Sequence, residues 1–264
     1  MAMAEQRERG SSILRAFAVL ESVVTADRPV SPAELAGLVG MPKASAHRLA
    51  RQLEEAGLLQ RELDGRKLIP GGRLNALAMS LFGSSGQRAA RHAILQAVSA
   101  EIGETCNISI PDGSQMIYFD RVETHWPLRM QLAVGSHVPL HCTASGKLFL
   151  SSLPAAQRRR LIAKIPLEQR APNTLTDPEA LEAELQRIRS SKVGIDNEEF
   201  IEGMVAVSVP ITDAQGRICA GLATHAPVQR MTIDQAMAHV PALRRAAAEL
   251  SALLSEAPEG DEQS

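Results

Sequence analysis

The stretch Met41-Pro42-Lys43-Ala44-Ser45-Ala46-His47-Arg48-Leu49-Ala50-Arg51-Gln52-Leu53-Glu54-Glu55-Ala56-Gly57 opens on a proline suited to a first helical turn and closes on a glycine suited to a helix end. It predicts a helix from about Lys43 to Glu55. On a helical wheel Ala46, Leu49, Ala50 and Leu53 share one face, and Ala44, His47, Arg48, Arg51 and Glu55 share the other. Lys43 and Ser45 flank the second face at its N-terminal end. A helix that enters the DNA major groove needs small residues at its tip and a polar outer face. Ala44 and Ser45 meet the first need. His47, Arg48 and Arg51 can reach base edges or phosphates, arginine fitting guanine in a bidentate way. Taken alone, the same pattern also suits a solvated surface helix.

The flanking segments weigh against that plainer reading. Upstream, Ser31-Pro32-Ala33-Glu34 is a capping signature, with serine at the cap, proline next and glutamate three residues on. Leu35, Leu38 and Val39 follow it on a short helix. Before that, Ser11-Ser12 can cap a helix whose apolar face is read as Ile13, Phe17, Leu20 and Val24. Downstream, Leu58–Pro70 holds two short extended segments around Asp64-Gly65, a two-residue hairpin signal. Three helices and a β-hairpin describe a winged helix-turn-helix. Arg66 and Lys67 beside the hairpin tip suit phosphate or minor-groove contact, as does Arg15 on the first helix. A merely soluble hairpin tip is the alternative.

Charge agrees with a local nucleic-acid contact. The 264 residues carry 28 basic and 30 acidic side chains, net −2, which excludes a wholly basic nucleic-acid binder. Residues 1–80 hold 11 basic and 9 acidic side chains, so the N-terminal end is net positive and the remainder net negative. Apolar residues make up 45% of the chain and aromatics 3%, so a core of Leu, Val, Ile, Ala and Met is expected. No apolar run reaches membrane-spanning length and the start is charged. The expectation is therefore a cytoplasmic protein with no membrane partner.

From Gly72 to Gly103 the pattern is helical, interrupted at Gly83-Ser84-Ser85-Gly86. It suggests a linker helix over 72–86 and then the first helix of a second domain, Arg88 to Ile102. Beyond it, Asn107–Ile110, Gln115–Arg121, Arg129–Val134, Val205–Ile211 and Ile218–Thr224 read as strands. Thr143–Leu153, Pro154–Ile165, Asp177–Ser190 and Ile233–Leu254 read as helices, the last broken near Pro241. The tails 1–10 and 257–264 read as disordered, the second being acidic.

Three constellations in this second region could carry chemistry. His141-Cys142-Thr143-Ala144-Ser145-Gly146-Lys147 lacks the early glycine and the trailing Ser or Thr of a phosphate loop, because His141 and Leu148 hold those places. It fits better a helix N-terminus able to take an anion, or an ordinary capped helix. Gly194-Ile195-Asp196-Asn197-Glu198-Glu199 clusters carboxylates, as a metal site, acid–base work or an exposed turn would. Cys106, Cys142 and Cys219 are an odd set without CxxC spacing, and the histidines have no ligand spacing, so no metal and no cofactor are expected. A thiol enzyme or redox sensor using Cys142 or Cys106 remains the alternative function. It would need an accessible thiol of lowered pKa.

Taken in order, Ser12–Phe17, Leu35-Ala36, Met41–Leu49 and Leu53–Leu58, then Thr143–Lys147, Gly194–Glu199 and Gly203–Ile211, resemble the IclR family of bacterial transcriptional regulators. The resemblance spans about Ser12 to Leu254. It implies an α+β protein with a winged helix-turn-helix domain at 11–71, a linker helix, and a GAF-like α/β effector-binding domain at 87–256 with a central antiparallel sheet. It also implies a homodimer, often a dimer of dimers and so a homotetramer, on palindromic double-stranded DNA, repressing or activating in response to a small organic acid rather than acting as an enzyme. By position, Met130, Cys142, Ala144, Ser145, Asp196, Met204, Ala206, Ala223 and His225 fall around the effector pocket. Lys43, Ala44, Ser45, His47, Arg48 and Arg51, with Ser31, fall on the DNA side. Ala206, Ala223 and His225 depart from the Cys and paired Ser frequent in the family. That departure points to a bulkier or aromatic acid, with a protonated His225 facing its carboxylate or, as the alternative, pointing away and only packing.

Overall fold

The computed structural model describes residues 12–26, 28–62, 65–74, 77, 85–127 and 132–255. The chain divides into two compact units, Met1–Ser84 and Ser85–Ser264.

The first unit contains α1 (Ser12–Val24), α2 (Pro32–Leu38), α3 (Lys43–Glu55) and a hairpin of β1 (Leu59–Arg61) and β2 (Leu68–Pro70). Helix α2 starts where its capping residues require. Ser31 Oγ accepts the Glu34 N–H at 3.2 Å, and the Ser31 N–H donates to Glu34 Oε2 at 2.7 Å. Hydrogen bonding to its carboxyl from the Ser31 amide and then the Ser31 hydroxyl, with Arg28 beyond them, pulls Glu34 down to about 2. Gly40, at φ 65°, turns the chain between α2 and α3 in a conformation that side chains with a Cβ rarely adopt. The core gathers Val19, Val23, Val30, Leu35, Ala46, Leu49, Ala50, Leu53, Leu59 and Leu68. At about 1.5–3 kcal/mol for each large apolar side chain buried, this cluster holds the three helices on the hairpin.

Two sequence expectations need correction here. Helix α1 buries Val19 and Val23, with Ala16 and Leu20 half-buried, while Ile13, Phe17 and Val24 are exposed. Its sequence is apolar nearly all round, so spacing alone could not choose the face. The hairpin connection is also wider than two residues. The Glu62 N–H reaches Lys67 O at 2.8 Å, and the Gly65 N–H folds back on Glu62 O at 2.7 Å with Gly65 at φ 72°. Leu63 and Asp64 lie outside the described residues. The linker 72–86 also falls largely outside them; Gly72–Leu74 and Leu77 are helical.

The second unit is built on a six-stranded antiparallel sheet in the order β5-β4-β3-β8-β7-β6. The strands are β3 (Thr105–Asp112), β4 (Gln115–Val122), β5 (His137–Pro139), β6 (Gly194–Asn197), β7 (Met204–Thr212) and β8 (Ile218–Pro227). The helices are α4 (Ser85–Ile102), α5 (Ala144–Ser152), α6 (Ala155–Ile162), α7 (Pro178–Ser191), α8 (Ile233–Ala238) and α9 (Val240–Ser255). Residues along a strand alternate between faces. Cys106, Ile108, Val205, Val207, Val209, Ile211, Ala220 and Leu222 therefore join Leu95, Val98, Leu243 and Leu250 of α4 and α9 in one core. Across the sheet, Met116, Tyr118 and Val138 pack with Leu148 and Leu150 of α5 and Leu181, Leu185 and Ile188 of α7.

Strands β5 and β6 are absent from the sequence expectations, being three and four residues long. The expected strand at 129–134 does not form where it is described: Leu132–Val134 lie in no strand, and Arg129–Gln131 are outside the described residues. The long C-terminal helix divides at His239, just before Pro241.

Candidate DNA-reading surface and effector cavity

In the first unit, α3 buries Ala46, Leu49, Ala50 and Leu53 and exposes Lys43, Ala44, His47, Arg48, Arg51 and Glu55; Ser45 is half-buried. The residues singled out for base and phosphate contact thus lie along one helix. Its cap, Pro42, supplies no side-chain hydrogen bond, so the first amides of α3 stay open to an acceptor. Arg51 reaches Glu55 at 3.0 Å, but both side chains are well exposed and the pair is worth a few tenths of a kcal/mol at most, roughly. Ser31 is engaged in the α2 cap. Arg15 and Arg66 are exposed and Lys67 is half-buried.

Sequence reasoning missed Arg61. Its Nε and Nη2 grip Glu54 of α3 at 2.7 and 2.9 Å, and its Nη1 donates to Gly65 O at 3.2 Å. One side chain therefore fastens the wing loop to the recognition helix. The signal was present, since Arg61 stands at the last residue of β1 where its side chain faces α3.

In the second unit the strands place a polar row under α5. Asp196 pairs with Ala206, Ala206 with His225, Ser208 with Ala223 and Ala223 with Asn107, so all stand on the face opposite the α4–α9 core. Helix α5 lies against this face because glycines let it. A Cβ on Gly194 would stand 2.0 Å from Ala144 O, and one on Gly221 would stand 2.9 Å from both Ser145 Oγ and Ser208 Oγ. Thr143 caps α5 through the Gly146 N–H at 3.2 Å.

Above the row lies a small half-enclosed cavity of ≈ 30 Å³. Of the residues expected around a pocket, Ala144, Ser145, Asp196, Met204, Ala206, Ala223 and His225 line it. Cys142 does not. It is fully buried just ahead of the Thr143 cap and contributes nothing to the wall. Met130 lies outside the described residues. Asn107, Tyr118, Val138, Thr143, Phe200 and Ile201 also line the cavity and were not foreseen. They come from strands and a loop distant in sequence, which pairing alone brings together.

The electrostatics of the wall follow from burial. Burial pushes the Asp196 carboxyl up to about 7, against two amide hydrogen bonds to its Oδ1, from Glu199 at 2.9 Å and Phe200 at 3.2 Å. Burial, with Arg121 nearby, pushes His225 down to about 3. His225 is thus neutral near neutral pH, which corrects the expectation of a protonated ring facing the ligand. Its Nε2 is buried without a partner among the described residues. Beside the cavity, fully buried Lys147 of α5 holds Glu199 with Nζ at 2.5 and 2.6 Å from its two oxygens. Burial raises all three thiols, Cys106 and Cys142 to about 12 and Cys219 to about 11, the opposite of what a thiolate enzyme or redox sensor requires. Among the described residues no group of three His, Cys, Asp or Glu could hold a metal, and no helix is long and apolar enough to cross a membrane.

A winged helix-turn-helix unit joined to an α/β unit with a curled antiparallel sheet is the architecture of a bacterial transcriptional regulator. The chain belongs to the IclR family: residues 12–63 match the IclR helix-turn-helix domain and residues 81–252 match the bacterial transcriptional regulator IclR C-terminal domain. It is 47% identical over 240 residues to the probable transcriptional regulator SauR of Cupriavidus necator, across 91% of this chain and 95% of that protein. Among solved structures it is similar to the Thermotoga maritima IclR, with TM-score 0.62 and 29% identity over 93% of this chain and 99% of that one. It shares its fold with an IclR homologue from Microbacterium hydrocarbonoxydans complexed with 4-hydroxybenzoate, with TM-score 0.58 and 24% identity over 92% of this chain and 99% of that one.

Proposed function

We propose that this regulator is controlled by a small organic acid bound in the cavity beneath α5. Helix α3 reads the major groove through Lys43, Ala44, Ser45, His47, Arg48 and Arg51, and Arg66 and Lys67 of the wing hold phosphate, with Ser31 and Arg15 beside them. The protein acts in the cytoplasm as a homodimer or dimer of dimers on a palindromic operator, since two-fold proteins and palindromic half-sites match physically. Residues 72–86 link the two functions.

The observation that carries the effector reading is the unpartnered His225 Nε2 in a cavity that also holds the first turn of α5. A buried imidazole nitrogen without a partner costs free energy that a ligand can recover, and a helix N-terminus favours an anion. Ala206 and Ala223 are small side chains of the wall that favour a bulkier acid, and the 4-hydroxybenzoate held by the Microbacterium homologue is an aromatic acid.

The test is thermal unfolding against a panel of small and aromatic carboxylates. A ligand at ~100 times its Kd adds roughly 2.7 kcal/mol. At about 2–4 °C per kcal/mol for a chain of this size, that raises the midpoint by roughly 5–11 °C. A hit that also alters operator affinity supports the reading. A hit without effect on DNA binding removes the regulatory role from the cavity.

A further inference from the structure

Among the described residues that line the cavity there is one carboxyl, Asp196, and no Lys or Arg. Asp196 is 6% exposed, and its Oδ1 is taken by the two amides of Glu199 and Phe200. None of the cations packed around it lines the cavity. Lys147 on α5 is committed to both oxygens of Glu199 and also lies 3.9 Å from Glu184 Oε1 on α7. Arg121 on β4 lies 3.4 Å from Glu123 Oε1. His225 on β8 stands across Ala206 in the same cross-strand row and is neutral. Tyr118 on β4 and Cys142 before α5 keep their protons, since burial raises both groups to about 12.

An organic acid in this space brings a further carboxylate beside Asp196, close to Glu199, whose charge Lys147 already balances. Two like charges in a low-dielectric site do not both stay ionised. We propose that the effector is bound together with one proton, held on Asp196, whose acid form donates a hydrogen bond to the effector carboxylate. The amides hold Oδ1 as an acceptor, so Oδ2 carries the proton. That proton comes from solvent on binding and returns on release, and no covalent bond changes. The first turn of α5 receives the rest of the carboxylate's charge, and His225 Nε2 remains for a second polar group on the ligand. Asp196 is thereby assigned as the group that makes effector affinity depend on pH. This inference rests on the organic-acid reading.

The sign follows from where Asp196 titrates. Below about pH 7 it already carries its proton, and affinity for an anion is level. Above that, each binding event draws one proton from solvent, and affinity falls about tenfold per pH unit.

The experiment is isothermal titration calorimetry of the full chain with acetate and with 4-hydroxybenzoate. Each is titrated in pairs of buffers that differ in heat of ionisation, at about pH 6 and about pH 8. The expected result is uptake of nearly one proton per ligand at the higher pH and far less at the lower. Asp196→Asn keeps the amide contacts to Oδ1, and binding becomes pH-independent with no uptake. His225→Gln retains the uptake, which separates the two titratable groups of the wall. Binding of either probe to the unmodified protein without uptake at the higher pH overturns the inference and leaves the organic-acid reading intact. So does uptake that persists in Asp196→Asn. If that variant fails to fold, the buffer comparison on the unmodified chain decides alone. Absence of binding by both probes, by heat and by thermal shift, overturns the inference and the organic-acid reading together.

Discussion

His225 couples the cavity to folding. Its ring is 4% exposed and held near pKa 3, whereas an unfolded histidine titrates at about 6.5. As pH falls through that window the unfolded chain takes a proton that the folded chain refuses, so stability declines, by up to a few kcal/mol. Asp196 acts in the opposite sense, since a raised carboxyl favours the fold as pH falls below about 7. The comparison that isolates His225 is the urea midpoint at about pH 7 and about pH 4.5 for the native chain and for His225→Gln. The variant is expected to lose less stability between the two. An equal loss would mean the ring becomes solvated before it titrates. Lys147 and Glu199 make the other residue-scale case. Two charges buried together in direct contact leave an uncompensated charge when one is removed. Lys147→Met or Glu199→Leu alone should cost about 3–5 kcal/mol, while the double variant should recover much of it. Additive losses in the double variant would show that each side chain contributes mainly through its own packing.

At the scale of elements, Arg61 ties α3 to the wing loop, so the two are expected to meet DNA as one surface. Arg48 is exposed on the outer face of α3, and Arg48→Ala should weaken operator binding by about 1–3 kcal/mol and relax base preference. Arg61→Ala should leave base preference unchanged and flatten the salt dependence, because the wing loop is no longer held over phosphate by Glu54. An unchanged salt slope would place the wing off the DNA. Elements were also where the sequence was most and least informative. Helix α3 was readable to the residue, because proline, glycine and a clean apolar face agreed on its limits. The antiparallel sheet was legible where strands were long and apolar, as in β7 and β8. Strand β6 was not, because Gly194-Ile195-Asp196-Asn197 is too short to show alternation and looks like a turn until β7 pairs with it. The cavity was half legible for the same reason. Asp196 and His225 were found by position in a family pattern, while Asn107 and Tyr118 become neighbours only through strand order. The α1 face failed because Phe17 and Val19 are both apolar, and only the hairpin and α3 decide which is covered.

The whole molecule has separate cores, one within Met1–Ser84 and the others within Ser85–Ser264, and each functional surface belongs to a single unit. Ligand stabilisation should therefore be local. In scanning calorimetry an effector carboxylate should raise the transition of the second unit, and an operator fragment should raise that of the first. The net positive balance of residues 1–80 makes the second of these shifts sensitive to salt. A regulator needs more than two independent shifts, because a ligand that binds every conformation equally changes no equilibrium. With both ligands present, the summed stabilisation should depart from the two separate values by about 1–3 kcal/mol, the usual size of a coupling between sites. Its sign gives the direction of control: a deficit means the acid releases DNA, and an excess means it recruits DNA. Strict additivity would leave two competent sites on one chain with no switch between them. The same measurement on Asp196→Asn at about pH 8 then tests whether the bound proton takes part in the coupling or only in binding.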